Sequence, residues 1–186
     1  MTVLRCTAKL LKRLKQPAKP VEPTPQGNPL GEWYADIDVW NRKPFVVMLN
    51  GATGATLLLN GNANGLRILH ERALLQFGSM CGHFGIEGPL VDAELDGFAA
   101  GFTVAATRDR SLLSTLNLRK DAAWANFEHN GDSLVEAAMQ EWEGLFRISV
   151  PGLGKHHPKH YHRPLDLLRQ RLVASAVILP FASTRH

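Results

Sequence analysis

The sequence predicts a single α+β domain spanning residues 1–186, with a mainly antiparallel sheet from the N-terminal half packed by several helices. Three observations predict it. Segments with strand periodicity crowd the stretch before Asn60, amphipathic helical segments dominate after Leu66, and the two types do not alternate as a βαβ repeat would require. A chain of this length also buries enough surface to hold one core without a disulfide or metal staple.

Thr2 to Thr7 reads as a short strand, with the Thr7 hydroxyl placed to cap a helix over Ala8–Lys15. Leu10, Leu11 and Leu14 share one face of that helix. Prolines 17, 20, 23 and 25 then predict an extended connector, about 16–29, inside the domain. From Glu32 to Trp40 the residues alternate: Trp33, Ala35, Ile37 and Val39 on one face, Tyr34, Asp36, Asp38 and Trp40 on the other. Asn41, Arg42 and Lys43 interrupt the pattern before the apolar run Phe45–Leu49, which predicts a hairpin with a longer-than-minimal loop. A third strand over Ala55–Leu59 follows the Asn50-Gly51 turn signal.

The stretch Asn60–Gly65 reads as a flexible loop and Leu66–Met80 as an amphipathic helix ended by Gly82, Gly85, Gly88 and Pro89. A strand is expected over Phe102–Ala106. Asp109 or Ser111 caps a helix running through Leu116 and Ala123 to Phe127, and Asn130-Gly131 stops it. Asp132 is expected to cap the next helix, Ser133 to Phe146. After an irregular Pro151–Pro158, Pro164 opens a last helix to about Ala174.

With 45% hydrophobic and 20% charged residues the composition excludes a disordered chain. Cys6 and Cys81, with no C-x-x-C pair, form no disulfide or zinc framework and read as buried apolar residues of a reducing compartment. No apolar run approaches the ~18–20 residues of a membrane span, and the first residues lack a signal peptide's apolar core. The cytoplasm is the expected location, with no membrane partner. A net charge of +4 and a pI near 9.3 favour an anionic partner.

Candidate sites follow from residue chemistry. His156, His157, His160 and His162 lie within seven residues, and imidazoles could meet a divalent ion. Pro158 breaks the helical spacing of His156 and His160, and no H-E-x-x-H helix is present, so a solvated basic loop is the preferred reading. No cofactor is expected beyond that metal alternative. The glycines of 51–54 and 60–65 lack a P-loop's Lys-Ser/Thr and read as turns. Glu87, Asp92, Glu94 and Asp96 read as a solvated acidic loop between glycines and prolines. Composition places no Ser, His and Asp together as a nucleophilic triad.

The basic residues fall into three groups: Arg5, Lys9, Lys12, Arg13 and Lys15; Arg108, Arg110, Arg119 and Lys120; and a C-terminal set from Arg147 to Arg171. Two of them on one face would track phosphates, with Tyr34, Trp40 or Tyr161 available to stack on bases.

Several phrases carry a family resemblance: LRCTAKLLKRL (Leu4–Leu14), the proline-rich gap, NPLGEWYADIDVWNRK (Asn28–Lys43), TRDRSLLSTLN (Thr107–Asn117) and YHRPLDLL (Tyr161–Leu168). Together they resemble an uncharacterised bacterial family, domain-of-unknown-function family 6933. The chain departs from its pattern at Ser114, where glycine is expected, and at Leu118, where aspartate is expected; Gly61–Phe98 matches none of its phrases. The resemblance implies an intact domain and a bacterial or mobile-element setting, and no activity. The polar residues within these phrases are the anion-binding candidates: Asn41, Arg42 and Lys43 at the hairpin turn, and Arg108, Arg110, Ser111 and Asn117 around a helix start.

The expected function is a non-enzymatic binding or regulatory domain with a nucleic-acid or other phosphate-bearing partner. One alternative is a metal-dependent hydrolase or nuclease using the histidine cluster. The other is an antitoxin-like or mobile-element module that binds a protein partner.

Overall fold

A computed structural model of the chain describes residues 1–24, 27–147 and 160–173. β1 (Thr2–Cys6) ends at Thr7, whose hydroxyl accepts the Leu10 N–H at 3.3 Å and caps α1 (Ala8–Arg13). Leu10 and Leu11 are buried at helical spacing, while Lys9, Lys12 and Arg13 are exposed. Beyond the proline-rich connector come β2 (Trp33–Trp40), β3 (Lys43–Asn50) and β4 (Thr56–Asn60), an antiparallel meander. Trp40 pairs with Lys43, so Asn41 and Arg42 alone make the turn, with φ of +46° and +62°. This two-residue loop, of the kind whose central residues both take positive φ, is shorter than the sequence predicts. Lys43 belongs to the strand, and Asn41 tolerates the left-handed region.

The sheet order is β4-β3-β2-β1-β5, with β5 at Phe102–Ala106. β1 lies parallel to both neighbours, with Leu4 opposite Trp33 and Val3 opposite Thr103. The α+β class is therefore realised as a meander extended by two parallel strands. Both faces of β2 are covered. Trp33 packs edge-on against Phe77 of α3 (Leu69–His83) and against Phe98 of α4 (Pro89–Ala99), and Phe77 meets Trp142 of α6 (Leu134–Glu143). On the other face Asp36 meets Lys120 of α5 (Arg110–Ala125). Tyr34, expected as an exposed stacking aromatic, is buried on that side.

Three local expectations are corrected. The Asn60–Gly65 stretch is not a free loop: the Asn62 side chain accepts the Gly65 N–H at 2.7 Å and starts α2 (Ala63–Arg67). A Cβ on Gly65 would lie 2.1 Å from the Asn60 carbonyl oxygen, so this turn requires glycine. The acidic stretch is not a loop either. Pro89 is the first residue of α4, and Val91, Glu94 and Phe98 turn to the core at helical spacing. Ser133, not Asp132, caps α6, in a capping box with Glu136.

A π-helical turn (Asn126–Asn130) follows α5 and stops at Gly131, φ +71°, as the Asn-Gly signal predicts. β6 (Phe146–Arg147) pairs with β7 (Tyr161–His162), and α7 (Pro164–Leu172) begins at the expected proline. The predicted irregular segment Pro151–Pro158 lies outside the described residues. Cys6 and Cys81 are buried free thiols, and burial pushes both up to about 12. Among the described residues no helix is long and apolar enough to cross a membrane.

A basic groove and the internal charge networks

α1 presents its cations beside the end of the β2–β3 hairpin. Lys9, Lys12 and Arg13 from the helix and Arg42 from the turn line a groove of about 470 Å³. Its floor is apolar: Ile37, Val39 and Pro44. Val39 remains 46% exposed at the strand end, which leaves that floor open. Lys9 Nζ lies 3.2 Å from Asp38, so among the described residues the groove's four cations have one paired carboxylate. Arg42, a candidate of the hairpin turn, thus joins the N-terminal basic group; among the described residues neither of the other two basic groups contributes to this groove. Asn41 and Lys43 flank it, both exposed. Across the hairpin, Lys43 borders a smaller cavity of about 200 Å³ lined by Trp40, Phe45 and Phe127. Trp40 is half-buried there, its ring 5.3 Å from Phe127.

The cations around the start of α5 are arranged differently. Arg108 sits on two carboxylates, donating to Glu22 at 3.0 Å and to Glu32 at 3.1 Å. The α5 amides of Ser111 and Leu112 donate to the Asp109 side chain, at 2.8 and 3.2 Å. Ser111 therefore lies next to an internal carboxylate at the helix start. Arg110 and Asn117 are exposed. Arg119 is buried and bonded to Glu141, with its guanidinium 5.4 Å from the centre of the Phe146 ring. Burial pushes the Glu141 carboxyl up, and Arg119 opposes that rise. Lys120 donates to Asp36 at 2.6 Å, and Thr7 donates its hydroxyl proton to the same carboxylate. Burial would raise the Asp36 carboxyl, but the Lys120, Thr7 and Ile37 donors together hold it below its ordinary range.

Arg5, grouped with the exposed N-terminal cations in the sequence, is buried in the middle of β1 and 1% exposed. Its Nε and Nη2 grip Glu32 at 2.7 Å each, and Nη1 donates to the Ala106 carbonyl at 3.1 Å. The hydrogen bonds to Arg5 hold the Glu32 carboxyl below its usual range. A sequence signal for this existed: an arginine inside an apolar strand requires a carboxylate, and Glu32 immediately precedes the tryptophan strand.

Glu94, read as a solvated acid, is fully buried. Its carboxylate accepts from Trp33 Nε1 at 2.9 Å, Leu30 N–H at 3.0 Å and the Asn28 amide at 3.1 Å. Burial raises its carboxyl, and these donors oppose the rise. This acid ties the end of the proline-rich connector to α4. Of the histidine cluster, His160 is buried and His162 lies in β7, while His156 and His157 fall outside the described residues. Among the described residues no group of three or more His, Cys, Asp or Glu side chains could hold a metal ion.

The fold and these contacts define an α+β domain on a mixed five-stranded sheet, with buried ion pairs tying α5 to α6 and to β2 and a basic groove at the hairpin end. Residues 3–166 match the model of a family described as Domain of unknown function (DUF6933), and the chain belongs to that family. No curated protein and no solved structure matches it.

Proposed function

We propose that this protein is a non-enzymatic binding domain whose groove between α1 and the β2–β3 turn receives the phosphate backbone of a nucleic acid. One observation carries the reading: Lys9, Lys12, Arg13 and Arg42 converge on one open groove, where among the described residues the carboxylate paired with them is Asp38, on Lys9. Phosphates are held by such clusters largely through counterion release, which needs charge density and reach more than buried geometry. The apolar floor of Ile37, Val39 and Pro44 accommodates sugar or base edges, and Trp40 lies across the same hairpin. Labelled single- and double-stranded nucleic acid, titrated across a salt series, tests the reading. Binding should weaken steeply with salt, and Lys12→Ala or Arg42→Ala should lower the log–log slope by ~0.7–0.9 for each phosphate no longer neutralised. No binding at low salt, or a slope unmoved by both variants, refutes it.

A further inference from the structure

Arg5 and Arg108 hold more carboxylate than the burial of Arg5 requires. Glu32 alone neutralises Arg5, through two bonds of 2.7 Å, and is fixed by its place at the start of β2. The Tyr34 hydroxyl, 3.4 Å away, donates to the same carboxylate. Glu22 is a second acid laid over this pair. Its Oε1 accepts from Arg5 Nη2 at 2.5 Å and from Arg108 Nη1 at 3.0 Å, and its Oε2 accepts from Arg5 Nη1 at 3.3 Å. Three N–H donors from two guanidiniums thus converge on one carboxylate.

That carboxylate is weakly anchored by its own chain. Glu22 belongs to no helix or strand, its side chain is 59% exposed, and Val21 beside it is 90% exposed. The Arg108 side chain is 60% exposed, so the outer half of the contact is a solvent-facing ion pair of low net strength. We infer that Arg5 and Arg108 form a carboxylate-binding site whose resident occupant is Glu22, and that an external carboxylate exchanges with it. Without Glu22 the two arginines and Glu32 leave one net positive charge, which matches a monoanion. A phosphate dianion entering the same position would meet the Glu32 carboxylate across the shared guanidiniums. Carboxylates are also matched in shape to a guanidinium edge. The site is separate from the groove, sharing no lining residue with it.

An intramolecular competitor on a short tether acts at an effective concentration in the mM range. The apparent affinity for an external carboxylate is cut by the fraction of molecules in which Glu22 occupies the site. In the full-length protein, Glu22→Gln should therefore bind acetate at least tenfold more tightly than the unmodified chain. The Arg5 Nε–H resonance in an NMR titration reads this directly. Adding Arg108→Ala to Glu22→Gln should remove the gain, and Arg42→Ala should leave it intact. A blocked glutamate-containing tetrapeptide, titrated in parallel, separates the two sources. Binding tighter than acetate marks an acidic peptide, and equal binding marks a small free acid; both uphold the site. Glu22→Gln binding acetate no better than the unmodified chain would overturn it. So would acetate binding insensitive to Arg108→Ala, or inorganic phosphate binding more tightly than acetate. Loss of salt-dependent nucleic-acid binding in Arg42→Ala, with acetate binding retained, bears on the groove alone.

Discussion

Gln76 completes the edge of the sheet with its side chain: Oε1 accepts the Leu58 N–H and Nε2 donates to the Leu58 carbonyl, each at 3.0 Å. An amide from α3 thus makes at one residue of β4 the pair of bonds that a further strand would make. Trp142 Nε1 extends the closure by donating to the Thr56 carbonyl at 2.9 Å. Gln76→Leu keeps the volume but orphans a buried donor and acceptor, each costing about 1–3 kcal/mol. The urea midpoint should fall by the equivalent of about 2–6 kcal/mol. A fall below about 0.5 kcal/mol would mean that solvent replaces the amide.

Trp33 unites two roles, an aromatic packed on Phe77 and Phe98 and a donor to Glu94. Trp33→Ala should cost about 3–5 kcal/mol through the cavity. Trp33→Phe retains a ring but leaves the buried carboxylate short of one donor, a loss of about 1.5–3 kcal/mol for a bond to a charged group. Equal destabilisation by both variants in denaturant titrations would show that the hydrogen bond, and not the ring volume, dominates.

Acid should loosen the Arg5 network. Hydrogen bonds from Arg5 depress the Glu22 and Glu32 carboxyls in the folded state, so the unfolded chain takes up protons first as pH falls. Their stabilisation is present above the ordinary carboxylate value, about 4.5, and is lost as pH drops through the depressed folded values. Thermal midpoints of the unmodified protein and of Glu32→Gln should differ at pH 7 and converge below pH ~4. A constant gap across that range would exclude ionisation of Glu32 as the source.

Arg42 occupies the left-handed region at φ +62°, where a side chain costs roughly 1 kcal/mol relative to glycine. Arg42→Gly should therefore stabilise the hairpin by about that amount while weakening nucleic-acid binding. A variant more stable and a poorer binder would show strain retained for phosphate binding. Unchanged binding would detach Arg42 from the groove.

Much of the fold is legible from periodicity, and the gaps have identifiable causes. β2 shows because alternation puts Trp33, Ala35 and Ile37 on one face, β3 because Phe45–Leu49 is an apolar run, and α1 because Thr7 precedes paired leucines. α2 and α4 are hidden because Asn, Gly and Pro serve both as breakers and as starters: Asn62 caps a helix, and Pro89 opens one. In the candidate site, Arg42 and Lys43 are legible at the turn, and α1 is legible as a basic helix. Their meeting depends on how β1 and β2 lie side by side, which no local pattern encodes. The ion pairs are less legible still. Arg5, Arg108, Arg119 and Lys120 look alike as cations; distant partners separate Arg119 and Lys120 from the other two, and burial separates Arg5 from Arg108, which share Glu22 and Glu32.

The placement of β1 between β2 and β5 shapes the order in which the domain can assemble. Both neighbours of β1 lie later in the sequence, at very different distances: β2 follows α1 and the connector, whereas β5 arrives only after α4. The β2–β3–β4 meander can close locally, and such short-range pairing is fast. β1 cannot complete its ladder until Val3 finds Thr103, a long-range closure that is slow by comparison. During synthesis the earliest strand of the sheet therefore waits longest, its edge open and Arg5 without the Ala106 carbonyl, until the chain has grown past β5.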